Sequence, residues 1–168
     1  TYGGRDRLES MTVGGNAVTF KINAFGQRDS KAFSGTTTHY IHDIRGLIIA
    51  EANGSTGSTT KEYVWMEGEL LAQVDSGGNI VYTHGDFWGT PQKITNSART
   101  LVWDRIQEPF GETYSTPTNT TATNLRFPGQ YYDSENGLYQ NNFRDYDPTM
   151  GLYIQADPIG FRGGYNSF

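Results

Sequence analysis

Tyr40-Ile41-His42-Asp43-Ile44-Arg45-Gly46-Leu47 holds an aromatic, a polar turn with glycine and the start of a returning strand. The same parts recur in Phe25-Gly26-Gln27-Arg28 and in Tyr82-Thr83-His84-Gly85-Asp86-Phe87-Trp88-Gly89. Aromatic-led segments begin at Phe25, Tyr40, Tyr63, Tyr82 and Trp103, at steps of 15, 23, 19 and 21 residues. Self-similarity at about twenty residues denotes a supersecondary unit that cannot bury its face alone and must stack on its neighbours.

The unit reads as a β-hairpin. Gly14-Gly15-Asn16, Ser34-Gly35, Asn53-Gly54 and Ser76-Gly77-Gly78-Asn79 place residues tolerant of positive φ between strand-like runs. No stretch sustains a helical period of about 3.6 residues without glycine or proline breaking it. The expected fold is all-β, with stacked hairpins forming a curved open strip. Aromatics that recur with the repeat fit the core of such a stack better than an exposed carbohydrate-binding stripe. Ser115-Thr116-Pro117-Thr118-Asn119-Thr120-Thr121-Ala122-Thr123 is small, polar and aperiodic. This places a polar linker or loop at 116–123, dividing a strip over 1–115 from a second segment over 124–168.

Composition narrows the function classes. The chain has 168 residues, a net charge of −5 and a pI near 5.1, which disfavours nucleic acid or an anionic membrane as partner. Its best apolar run, Gly46-Leu47-Ile48-Ile49-Ala50, is far short of the ~20 residues that span a bilayer. No secretory leader is visible, so the chain reads as non-secretory, mature or an excised fragment. The absence of cysteine excludes disulfides and thiol chemistry. His39, His42 and His84 match no metal-ligand spacing and read as turn histidines bonded to nearby backbone, and no cofactor-binding pattern accompanies them. Asn53-Gly54-Ser55 and Asn119-Thr120-Thr121 match the glycosylation sequon, but turn chemistry already accounts for both asparagines.

The 43 residues from Arg126 contain Arg126-Phe-Pro-Gly-Gln-Tyr-Tyr-Asp133, Gly137-Leu138-Tyr139, Phe143-Arg144-Asp145-Tyr146-Asp147-Pro148-Thr149-Met150-Gly151-Leu152-Tyr153, Asp157-Pro158-Ile159-Gly160 and Gly163-Gly164-Tyr165-Asn166. Asp147-Pro148-Thr149-Met150-Gly151 is a turn sequence, with an aspartate to bond its own backbone, a proline to preset φ and a glycine to close. A hairpin about it sets Asp145 opposite a residue near Tyr153, so a further bend at Asp157-Pro158 or a neighbouring strand must bring Asp145 and Asp157 together. Two carboxylates held close share one proton and can activate water against a peptide carbonyl. Arg144 could orient one carboxylate or bind the developing oxyanion.

These words, with His84-Gly85-Asp86-Phe87-Trp88-Gly89-Thr90-Pro91, Trp103 and Pro109-Phe110-Gly111-Glu112 before them, resemble the core region of Rhs/YD-repeat proteins, in the same order. Asn23-Ala24-Phe25-Gly26-Gln27-Arg28 and Glu62-Tyr63-Val64-Trp65 are similar to the repeats that precede that region. The resemblance implies a β-strip that spirals into a hollow shell, a core segment curled inward as a plug, and an enclosed C-terminal toxin released by an intramolecular aspartic-protease activity. The positions matching the protease motif are Arg144, Asp145 and Asp157. Two departures stand out. Gln140 occupies a place where the family usually has an aromatic or similar strand residue, and the sequence stops at Phe168, before the family's scissile bond and toxin.

The expected role is structural: a wall-and-plug segment of a bacterial, secreted or delivered toxin shell, carrying aspartates that are silent in this fragment. Its expected partners are the rest of the shell and the enclosed toxin, with self-association through sheet edges and no membrane span. The alternative is a free-standing adhesin or carbohydrate-binding β-protein. A protease acting in trans ranks third, since no substrate cleft can be inferred.

Overall fold

The computed structural model describes residues 1–163, so the Gly163-Gly164-Tyr165-Asn166 word lies, from residue 164 on, outside the described residues. Among the described residues, fifteen strands form two antiparallel sheets, as the turn spacing predicts. The first is a meander of eleven in sequence order: β1 (Ser10–Val13), β2 (Asn16–Ile22), β3 (Arg28–Phe33), β4 (Thr36–His42), β5 (Ile48–Asn53), β6 (Thr59–Met66), β7 (Glu69–Asp75), β8 (Ile80–Gly85), β9 (Pro91–Asn96), β10 (Leu101–Gln107) and β11 (Thr113–Asn119). It does not close; β1 and β11 are its two edges. The second sheet is β12 (Gln130–Asp133), β13 (Leu138–Asn141), β14 (Arg144–Asp147) and β15 (Leu152–Tyr153). Short 3₁₀ turns at Gly4–Asp6 and Gly160–Gly163 are the only helical elements among the described residues.

One five-residue turn is used repeatedly. At Asp43–Leu47 the backbone N–H of Asp43 donates to the Leu47 carbonyl (2.9 Å) and that of Gly46 to the Asp43 carbonyl (3.0 Å). The Asp43 carboxylate accepts from the N–H groups of Arg45 and Leu47, both at 2.9 Å. The same side-chain bonding recurs from Asn23, Asp75, Asp86 and Asn96. An aspartate or asparagine here substitutes for backbone partners and favours the turn over a continued strand. Gly46 sits at φ 89, the left-handed region that glycine enters without steric cost. The Asn53-Gly54 turn instead places its positive φ at Gly57. Register shifts beside several of these turns, as between Ile41 and His42, are bulges that increase local twist.

The meander gives its two long edges different chemistry. Turns on one edge carry the exposed Phe25, Ile44, Phe87, Trp88 and Phe110, whereas opposite turns such as Gly14-Gly15, Ser34-Gly35 and Ser76-Gly77-Gly78 are small and polar. The aromatic series therefore splits. Tyr40, Tyr63 and Trp103 are buried as core, but Phe25 is at a turn tip and Tyr82 is exposed on a strand. The histidines are in strands rather than turns: His39 and His42 in β4, His84 in β8.

Residues 116–119, expected in a polar linker, are part of β11 instead, with Trp103 opposite Asn119 and Asp104 opposite Thr118. β-Branched threonines suit an extended chain, and Pro117 is tolerated because β11 is an edge strand. A short connection then carries the chain back over one face of the strip. Tyr40, Ile48, Tyr63 and Leu70 of the strip bury against Leu125 and Tyr131, and Leu8, Val18 and Phe20 against Leu138. Tyr40 and Tyr131 meet edge to face at 5.1 Å, a geometry worth about 1 kcal/mol beyond area burial.

Candidate functional site

Asp145 and Arg144 are neighbours on β14, and strand alternation sends their side chains in different directions. The Asp147 turn forms as the sequence predicts: its carboxylate accepts from the Thr149 N–H (2.9 Å) and hydroxyl (2.6 Å), and the chain reverses at Gly151, φ 69. The resulting hairpin pairs Tyr146 with Tyr153, and the Ile154 N–H donates to the Asp145 carbonyl at 2.9 Å.

Asp145 is buried. Gln155 clamps it from both sides: the Asp145 N–H donates to Gln155 Oε1 and Gln155 Nε2 donates to Asp145 Oδ2, each at 2.6 Å. Arg28 on β3 reaches Asp145 Oδ1 from the strip at 3.4 Å while its other terminal nitrogen binds Asp133 Oδ2 at 2.6 Å. Lys31 completes the cluster, with Nζ 2.9 Å from Asp133 and 2.6 Å from Glu135. Burial pushes the Asp145 carboxyl above its ordinary range; Arg28 and Gln155 oppose that, and the Asp133 charge adds to it. For Arg28 and Lys31, burial disfavours the charge, but the neighbouring carboxylates outweigh it and raise both.

Asp157 lies elsewhere. Its Oδ1 accepts from the Ile159 N–H at 2.9 Å, and its Oδ2 is 3.4 Å from the Arg144 guanidinium, which sits 3.7 Å above the Tyr153 ring. The structure thus joins Arg144 to Asp157 and Asp145 to Arg28 and Gln155; among the described residues no hydrogen bond joins Asp145 to Asp157. Arg144 and Asp145 nevertheless line one crevice of ≈10 Å³, with Arg7, Arg28 and Gln140 on its other walls. Gln140 is buried opposite Asp145, its amide donating to the Asn142 carbonyl at 2.9 Å.

Sequence reasoning assigned no role to Arg28, Lys31, Asp133 or Gln155. One signal was present for Arg28: on the alternating β3 it shares the inward face with Ser30, and a cation at such a position requires a counter-charge.

No family model matches the chain. Over a 214-residue alignment it is 28% identical to double-stranded DNA deaminase toxin A of Burkholderia cenocepacia (strain H111), covering 100% of this chain and 14% of that protein. It is 38% identical over 81 residues to the probable deoxyribonuclease RhsA of Dickeya dadantii (strain 3937), covering 48% of this chain and 6% of that protein. The relatives it matches include Rhs proteins, which supports the resemblance carried by the sequence. The chain also shares its fold with the TcdB2–TccC3 crystal structure, at a TM-score of 0.76 and 18% identity over 99% of this chain and 9% of the other. It therefore spans a small fraction of the length of each of these three proteins.

Proposed function

We propose that the chain is a wall-and-plug segment of a toxin-enclosing shell, with residues 1–115 contributing wall and 124–168 belonging to the core. The observation that carries this reading is the open eleven-stranded sheet with a second sheet laid across one face. A sheet with free edges at β1 and β11 suits a strip continued by further strands rather than a closed domain. Its similarity along the whole chain to a small part of a much longer toxin supports a structural segment over the toxic module itself. The remainder of the shell and an enclosed toxin are its partners on this reading, and delivery to the cell exterior is its setting.

Within that shell, Asp145 and Asp157 act as an aspartic autoprotease. The buried carboxyl of Asp145 is suited to hold the shared proton, and Asp157, held by Arg144, to act as the carboxylate that activates water. Because no hydrogen bond joins the two among the described residues, chain threaded past them must bring them to a common bond.

The test is self-cleavage of the chain in its native reading frame with downstream sequence attached, read by gel and mass spectrometry. Asp145→Asn and Asp157→Asn should each abolish cleavage, and Asp147→Asn, at the turn, should leave it largely intact. Cleavage that survives either of the first two changes would refute the assignment.

A further inference from the structure

A second buried pair of cations lies under the other end of the four-stranded sheet. Arg105 on β10 and Arg126, in the turn before β12, are 4% and 6% exposed. Among the described residues neither has a carboxylate within ion-pairing distance. Arg105 donates to the Gly111 carbonyl (3.4 Å) and to Gln107 Oε1, and Arg126 to the carbonyls of Thr123 (2.8 Å) and Leu125 (3.0 Å). Among the described residues the Nε–H of each has no hydrogen-bond partner. Arg126 is held in place by the faces of Tyr132, at 4.6 Å, and Tyr139, at 5.7 Å. Burial, together with the Arg126 charge, brings Arg105 down to about 10, and burial lowers Arg126 as well.

Both arginines line a cavity of ≈280 Å³ whose walls also include Gln107, Gln130, Trp88 and Phe110. Trp88 and Phe110 are exposed turn residues, so the mouth of the cavity is at the surface. Asp86 is the one acid on the lining, but its Oδ1 accepts from the N–H groups of Trp88 and Thr90 and its Oδ2 from Gln92. Two buried guanidiniums without a bound acid cost folding energy, and an arriving oxyanion would recover it.

We propose that this cavity binds an acidic peptide segment, with a carboxylate between Arg105 and Arg126 and flanking apolar side chains on Trp88 and Phe110. At ≈280 Å³ the cavity has more room than a lone oxyanion needs. The aromatic lining calls for an apolar body attached to the anion, and Gln107 and Gln130 offer amides to a peptide backbone. A net charge of −5, with Glu108 and Glu112 on the neighbouring turn, disfavours a polyanionic nucleic acid. The site stands independently of the aspartates.

The test titrates the full chain with N-acetyl-leucyl-glutamyl-phenylalaninamide, its glutaminyl counterpart and inorganic phosphate, following tryptophan fluorescence. The glutamyl peptide should bind saturably and at least about tenfold more tightly than either comparison ligand, as the loss of a charge-assisted hydrogen bond implies. Arg105→Gln should weaken that binding at least about tenfold, and Arg105→Lys should restore only part of it, because a lysine lacks the planar fork. Without peptide, Arg105→Gln should melt at or above the temperature of the unmodified chain. Equal affinity for the two peptides, or unchanged binding by Arg105→Gln, would overturn the proposal. Phosphate binding as tight as the peptide's would replace it with a free-oxyanion site. An Arg105→Gln chain that melts well below the unmodified one would overturn it too, since the guanidinium would then already be compensated.

Discussion

Two groups of arginines lie between the strip and the second sheet, and they differ in how their charge is met. Arg28 is clasped by Asp133 and Asp145, with Lys31 and Glu135 beside them, whereas Arg105 and Arg126 rest on carbonyls, an amide and aromatic faces. Equal burial therefore does not mean equal purpose. A compensated cation holds two sheets in one register, while an uncompensated one stores a desolvation cost that an external anion can relieve.

The largest expected effect separates the two groups. Arg28→Met leaves Asp133, 0% exposed, with only Lys31 beside it, and should cost about 3–5 kcal/mol in urea unfolding, as the loss of one partner in a buried pair does. Arg105→Met should be neutral or stabilising, by up to ~1 kcal/mol, because it removes a buried charge that had no acid. A similar loss in both variants would erase the distinction.

Asp145 sharpens the comparison through pH. Its carboxyl is raised above its ordinary value near 3.8, so the folded state binds the proton more tightly than the unfolded chain does. The contribution of Asp145 to stability is then greatest below 3.8 and falls away as pH rises through the folded-state value. Asp145→Asn should flatten that slope in melting temperatures measured across the acid range. If the slope of the unmodified chain minus that of Asp145→Asn had the opposite sign, Arg28 and Gln155, not burial, would dominate.

The smallest effect belongs to Arg144 and Asp157, whose side chains are both 22% exposed. Asp157→Asn should change stability by no more than about 1 kcal/mol, given solvent screening of such a pair. A larger loss would reveal that the ion pair, and not the turn hydrogen bond that an asparagine still accepts from the Ile159 N–H, is what Asp157 supplies.

Much of the fold was legible because its determinants are local. Asp43 and Asp147 specify their turns within five residues, through side-chain bonds to their own backbone. Alternation along β14 likewise means that Arg144 and Asp145 cannot point the same way. The small, polar, aperiodic run at 115–123 carries no strand signal for residues 116–119, and only the position of β11 at the sheet edge makes Pro117 acceptable there.

The sequence alone determined an all-β chain of hairpins and the turns that link them, since those depend on φ preferences and hydrogen bonds a few residues apart. Tertiary structure alone decided which charges meet. Arg28 and Asp133 are 105 positions apart, and only the docking of the second sheet on the strip sets Asp133 and Asp145 around one guanidinium, while among the described residues Arg105 and Arg126 have no carboxylate within ion-pairing distance. Ion pairing and desolvation depend on distances in space, and these exist only once the two sheets have packed.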